Sequence, residues 1–125
     1  MAKRAQPERT LQKCVAVVLR RQYPKLLWWH VPNGSRATVA YRRTLADMGL
    51  RPGVPDIAMI LPNGVAAFIE LKAPGGSLSD AQIRFAEAAE GLGARFAVCR
   101  SLEQVQGIMR VWTQMREAAP QEGTQ

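Results

Sequence analysis

The sequence predicts an α/β domain with a mixed, mostly four-stranded sheet flanked by helices. Strand-like apolar segments alternate with amphipathic helical segments in the order helix, strand, helix, hairpin, helix, strand, helix. The length of 125 residues suits one domain with one core, expected over residues 1–117, and a disordered tail over 118–125. No run approaches the roughly 20 apolar residues of a membrane span, so no membrane partner is expected.

The first part of the chain predicts a helix, a strand and a second, short helix. Residues 7–22 form the first helix, with Pro7 in the first turn and a stripe of apolar side chains at Leu11, Val15, Val18 and Leu19. Residues 26–32 form a strand stopped by Pro32. The short helix runs to Met48 and is ended by Gly49.

The middle of the chain predicts a β-hairpin. Residues 56–61 and 65–72 are apolar and strand-like, and residues 62–64, Pro-Asn-Gly, form the turn between them. If those three residues are the loop, Leu61 faces Val65. A two-residue loop would shift the pairing by one residue and reverse the faces, so the side-chain arrangement depends on the turn.

The same register places Asp56 opposite Glu70, with Cβ atoms roughly 4.5–5.5 Å apart. Lys72 lies two residues beyond Glu70 and therefore shares its face of the sheet. Opposed carboxylates repel each other, and a divalent cation relieves that repulsion; oxygen ligands favour Mg²⁺ or Mn²⁺. Lys72 could orient a water or stabilise charge on a phosphate. The alternative is a surface salt bridge in which Lys72 neutralises one carboxylate.

The last part of the chain predicts two capped helices around a buried strand. Ser79 begins a helix with Gln82 three positions on, the pattern of a capping box, so Gln82 has a structural explanation beside any functional one. Residues 94–99 form the strand. Ser101 caps the final helix in the same way, and its apolar stripe is expected in the core: Val105, Ile108, Met109 and Trp112.

Cysteine use predicts a reducing compartment. Cys14 and Cys99 are far apart in apolar segments and are expected to be buried thiols, not a disulfide. Because the chain has no cluster of cysteine and histidine, zinc is not expected. We therefore expect a cytoplasmic protein, and the compact format is typical of a bacterial or phage source.

Charge is distributed unevenly along the chain. Residues 1–43 carry ten basic residues against one acidic residue, whereas residues 44–125 carry seven basic and nine acidic residues. A basic segment beside an acidic metal site suits a polyanionic substrate. The side chains expected to contact DNA are Lys25, Arg36, Arg42 and Arg43 at phosphates, Tyr41 at a base, and His30 in positioning the substrate. A solvated basic surface, and a purely structural His30, are the alternatives.

Three motifs in order resemble one nuclease family. Residues 53–56 (Gly-Val-Pro-Asp), 68–72 (Phe-Ile-Glu-Leu-Lys) and 78–82 (Leu-Ser-Asp-Ala-Gln) are similar to the virus-type replication-repair nuclease (VRR-NUC) domain, a branch of the PD-(D/E)XK superfamily with a restriction-endonuclease-like core. The resemblance extends from about Glu8 to about Val105. It implies a metal-dependent nuclease.

The resemblance also implies roles for individual residues. Asp56 and Glu70 would bind Mg²⁺ or Mn²⁺ with the Leu71 carbonyl, and Glu8 on the first helix would complete the site. Lys72 would be the catalytic lysine, and Gln82 would lie beside it.

At the level of substrate, the family implies branched DNA such as a four-way junction or flap. Two cuts in a symmetric junction suit a homodimer, for which Trp28, Trp29 and the Trp112 helix are candidate surfaces. The alternatives are a non-catalytic DNA-binding or scaffolding module and a single-strand or RNA nuclease.

Overall fold

A computed structural model describes residues 2–32 and 38–115, with side chains described from residue 8 onward. The elements in chain order are α1 (Ala2–Gln22), β1 (Leu27–His30), α2 (Val39–Asp47), β2 (Ile57–Ile60), β3 (Ala66–Leu71), α3 (Asp80–Gly91), β4 (Arg95–Cys99) and α4 (Leu102–Gln114). The sheet order is β1-β2-β3-β4, with the first three strands antiparallel and β4 parallel to β3. This confirms the predicted mixed four-stranded sheet.

Across the described residues, no helix has the length and apolar character needed to span a membrane.

The hairpin has the three-residue loop that the sequence predicts. Ile57 pairs with Ile69 and Ile60 with Ala66 in the β2–β3 register. Leu61 N–H donates to the Val65 carbonyl at 2.9 Å and so closes the ladder at the turn. The register that brings Asp56 to Glu70 is therefore confirmed.

The two faces of the sheet have different covers. One face packs against α1 and α4, and its core contains Val15, Leu19, Ile57, Met59, Leu61, Ala67, Ile69, Leu71, Cys99, Val105, Met109 and Trp112. The other face is packed by α3, whose Phe85 ring meets Phe68 edge-on at 5.1 Å between centroids. Because side chains alternate along a strand, Asp56 and Glu70 belong to this second face.

Several sequence predictions are corrected by the structure. Helix α1 begins at Ala2, so Pro7 is not in its first turn. Cys14 is exposed, because the core side of α1 is formed by the apolar stripe that includes Val15; Cys99 is buried as predicted. Trp112 itself is only 4 % exposed, so its side chain lies in the core, as the apolar stripe of α4 predicted, while Val111 of the same helix is exposed.

Other element predictions hold with small shifts in their bounds. Strand β1 is shorter than the predicted 26–32, and α2 ends before Gly49, which has a φ of 106°. The final helix is capped by Ser101 Oγ, but Gln104 Oε1 accepts from the Arg100 N–H rather than completing a box with Ser101. The expected boundary at residue 117 lies outside the described residues.

Candidate active site

Asp56 is held at the start of β2 by hydrogen bonds on both its side chain and its backbone. Its Oδ2 accepts from the Leu71 N–H at 2.8 Å. Its carbonyl accepts from the Val31 N–H at 2.7 Å and lies 2.9 Å from His30 Nδ1. That second contact is a hydrogen bond when Nδ1 carries the proton. These contacts hold the carboxylate in position directly before β2.

Glu70 is the buried charge of the site. It is 5 % exposed, and its Oε2 accepts from Gln82 Nε2 at 3.0 Å. Lys72 Nζ lies 3.8 Å from the same oxygen. Burial first, and then the negative charge of Asp56, raise the pKa of Glu70 to about 7, against the opposing effect of the Lys72 ammonium. The fold therefore holds two neighbouring carboxyl groups with one adjacent cation, which leaves the ionised pair undercompensated.

Gln82 combines the structural role and the site contact that the sequence left as alternatives. Its Oε1 accepts from the Ser79 N–H at 2.8 Å, and its own N–H donates to Ser79 Oγ at 3.2 Å, which completes the capping box of α3. The Nε2 end of the same amide donates to Glu70. One side chain thus couples the beginning of α3 to the buried carboxylate.

A glycine lets the loop before Asp56 lie against α3. Gly53 has a φ of 79°, and a Cβ placed on it would be 2.8 Å from the Gln82 backbone nitrogen and even closer to the Ala81 carbonyl. Only glycine tolerates both the backbone conformation and this approach. Gly53 therefore lets the loop before Asp56 approach the first turn of α3.

These elements enclose a cleft of about 470 Å³. Its lining includes Asp56, Glu70 and Gln82, together with the basic residues Arg42 and Arg51. The Arg51 guanidinium also lies 5.8 Å from the centre of the Phe85 ring. The cleft is therefore lined by both carboxylates and guanidinium groups, a combination that suits a phosphate with a bound cation.

Arg100 and Arg51 belong to the site region but were missed from the sequence. Arg100 Nη1 donates to the carbonyls of Ala73 and Gly76 and ties down the loop that leaves Lys72. Since β3 and β4 are parallel, their carboxyl ends meet at one edge of the sheet, and a basic residue directly after β4 could have been placed there. Arg51 follows α2, and no sequence pattern around it indicated that it would lie near the carboxylates.

The other predicted site residues fall in different places. Arg42 lines the cleft, while Tyr41 and Arg43 are exposed on α2. Lys25 precedes β1 at the end of the sheet away from Asp56, so it is not brought to the cleft. Arg36 lies outside the described residues.

Glu8 and Leu71 complete the set of predicted ligands. Glu8 is exposed on α1, and within residues 8–32 and 38–115 no three His, Cys, Asp or Glu side chains come together as a metal-binding group. The Leu71 N–H points at Asp56, and the carbonyl of a strand residue points to the same side as its N–H. Leu71 is thus beside the two carboxylates, whereas Glu8 does not form a three-carboxylate group with them.

Comparison with known proteins agrees with the fold and the motifs. A solved structure described as a VRR_NUC domain protein superimposes with a TM-score of 0.71 at 20 % identity, covering 85 % of this chain and 87 % of the other. None of the curated proteins matches the chain. Residues 5–103 match the VRR-NUC domain, a span that includes the site residues Asp56, Glu70, Lys72 and Gln82. The chain therefore belongs to the VRR-NUC family of nuclease-type domains.

Proposed function

We propose that this protein is a metal-dependent endonuclease that hydrolyses phosphodiester bonds in DNA. The observation that carries the proposal is that the β2–β3 register sets Asp56 opposite Glu70, that both line one cleft, and that Lys72 lies beside Glu70. A structural ion pair would account for one carboxylate and the lysine. It would not account for a second carboxylate held next to a buried one, where each raises the cost of ionising the other.

The donor set fits a hard divalent cation. Asp56 and Glu70 offer carboxylate oxygens from adjacent strands, and the Leu71 carbonyl lies on the same side, so these three would hold Mg²⁺ or Mn²⁺. Burial and the charge of Asp56 raise the pKa of Glu70, and a bound cation would stabilise its ionised form. When bound, such an ion lowers the pKa of its water and polarises the scissile phosphate.

The remaining side chains position the substrate and the nucleophile. The Lys72 ammonium, within reach of Glu70 Oε2, orients the attacking water or stabilises negative charge that develops on the phosphate. Gln82 keeps the Glu70 carboxylate in one orientation. Arg42 and Arg51 on the cleft walls contact the phosphates that flank the cut.

Branched DNA, a four-way junction or a flap, is the proposed substrate. The cations around the cleft suit backbone contacts, which position DNA without reading its sequence. Selection by DNA shape follows from such contacts, in keeping with the replication and repair substrates implied by the family resemblance. Symmetric cutting of a four-way junction would need two sites, which a two-fold homodimer supplies. Sedimentation with and without junction DNA tests that assembly, and a monomer in both would contradict it.

The activity test uses end-labelled four-way junction, flap and linear duplex DNA with Mg²⁺, Mn²⁺ or EDTA. We expect metal-dependent cutting of the branched substrates by the parent protein. Lys72→Ala and Glu70→Gln should abolish cleavage and retain much of the DNA affinity. Glu87→Gln is the matched control, because it removes an exposed carboxylate of α3 that does not line the cleft.

Two outcomes would contradict the proposal, and a third would change its substrate class. Binding without cleavage under every metal would favour a non-catalytic DNA-binding or scaffolding module. Equal loss of binding and cleavage in Lys72→Ala would contradict the catalytic role of this residue. Preferential cutting of RNA or single strands in competition assays would replace the substrate class and leave the chemistry intact.

A further inference from the structure

A second groove runs along the open edge of the sheet, between α1 and β1. Its volume is about 680 Å³, and the side chains that matter for its chemistry are Lys13, Arg20, Trp28, Trp29 and His30. Strand β1 is the edge strand, so one side of its backbone has no strand partner within the described sheet. The groove therefore combines aromatic rings, cations and backbone polar groups.

The aromatic side chains of the groove differ in how they are used. Arg20 lies 5.7 Å from the centre of the Trp28 ring, so this indole already has a cationic partner. Trp29 is 47 % exposed, although a tryptophan is usually largely covered. Trp29 thus leaves about half of its surface exposed to solvent, in a groove that Lys13 and Arg20 also line.

Trp29 lies near Asp56. It pairs with Ala58 in the β1–β2 register, so it shares a face of the sheet with Ala58 and with Asp56, which directly precedes β2. Such diagonal neighbours are about 7–8 Å apart. At the end of β1, His30 lines the groove and its Nδ1 lies 2.9 Å from the Asp56 carbonyl, so the groove ends beside a residue that lines the active-site cleft.

From this arrangement we propose that the β1 edge is a subsite for the single-stranded arm of a branched DNA, with a base stacked on Trp29. The inference rests on the proposed nuclease function and names the part of the substrate that this surface holds. Lys13 and Arg20 contact the phosphates of the arm, and bases freed from a duplex can stack on an indole.

Charge favours DNA over a second copy of this chain as the occupant. Among the described residues that line the groove, two are cationic and none is acidic. Apposing two copies at β1 would place Lys13 and Arg20 opposite the same cations, without carboxylates from the groove to compensate. A polyanionic strand meets both the charge and the exposed ring.

The test measures affinity by fluorescence anisotropy, in a Lys72→Ala background that prevents cutting. The ligands are a flap with a labelled single-stranded arm and a blunt duplex of matched length. Since stacking on an aromatic side chain is worth about 1–3 kcal/mol per base, Trp29→Ala should weaken binding of the flap by roughly five-fold or more and leave the duplex almost unchanged.

Matched variants separate stacking from general apolar contact. Trp29→Phe keeps a π-face and should restore most of the affinity for the flap. Leu27→Ala removes an exposed apolar side chain from the same strand and face, and it should have little effect. Lys13→Gln and Arg20→Gln should each lower the salt dependence of binding by about one phosphate contact. Circular dichroism and thermal unfolding check that each variant is folded.

The outcomes distinguish this proposal from the catalytic one. Unchanged flap affinity in folded Trp29→Ala would overturn the subsite while leaving the nuclease proposal untouched. If Trp29→Ala converts a dimer to a monomer on sedimentation and weakens flap and duplex binding equally, the subsite is overturned and the groove is an interface between copies. Flap binding that depends on Trp29, in a parent protein that cuts no DNA, would support the subsite and reject the cleavage.

Discussion

The amide of Gln82 donates from Nε2 to Glu70 Oε2 at 3.0 Å while its Oε1 accepts from the Ser79 N–H at 2.8 Å. A residue that completes the cap of α3 therefore also orients the buried carboxylate. Substitution of either Ser79 or Gln82 should weaken the cap of α3, but only substitution of Gln82 should also disturb Glu70.

The pair Ser79→Ala and Gln82→Ala tests that coupling. Both should lower the free energy of unfolding by about 0.5–2 kcal/mol, because each removes part of the cap of α3. Only Gln82→Ala should also raise the Mg²⁺ or Mn²⁺ concentration needed for half-maximal thermal stabilisation, because only it removes a donor from Glu70. Chemical denaturation and metal titrations followed by thermal shift measure the two effects. Equal metal responses would show that Gln82 has a capping role alone.

The metal-free protein should become less stable as pH rises from about 4.5 to about 7. The folded Glu70 carboxyl keeps its proton up to a pKa of about 7, whereas in the unfolded chain it ionises near 4.5. Its contribution to stability is full below pH 4.5 and is lost as pH rises through 7. Urea unfolding at pH 5, 6, 7 and 8, compared with Glu70→Gln, isolates this contribution.

The raised pKa of Glu70 also makes stabilisation by a bound metal depend on pH. A cation binds the ionised carboxylate, so the rise in Tm caused by Mg²⁺ or Mn²⁺ should increase between pH 5 and pH 8. Glu70→Gln should lose both the metal-free slope and the metal response. A variant that kept the parent's pH slope would show that another group causes it.

Gly53→Ala should be more destabilising than Gly49→Ala. Both glycines have positive φ, 79° and 106°, so both substitutions carry backbone strain. At Gly53 the new Cβ would also collide with the Ala81 carbonyl and the Gln82 nitrogen, whereas at Gly49 nothing lies within 4 Å. We expect Gly49→Ala to lower the free energy of unfolding by about 1 kcal/mol and Gly53→Ala to lower it by at least twice as much. Equal losses in urea unfolding would mean that the loop can move away from α3.

The sequence determined the part of the site that depends on local geometry. A three-residue turn at 62–64 sets the β2–β3 register, and the period of two along a strand then puts Asp56, Glu70 and Lys72 on one face. The Ser79 cap and the core stripe of α4 also follow from local patterns, since capping and amphipathic spacing act within a few residues.

Contacts between distant segments were decided by the tertiary structure. That Gln82 reaches Glu70 depends on how α3 packs on β3, where Phe85 meets Phe68. Burial also lay beyond the local pattern: Cys14 is exposed although its neighbours in sequence are apolar. The physical reason is that turns and caps depend on residues adjacent in the chain, whereas packing depends on which surfaces the whole fold brings together.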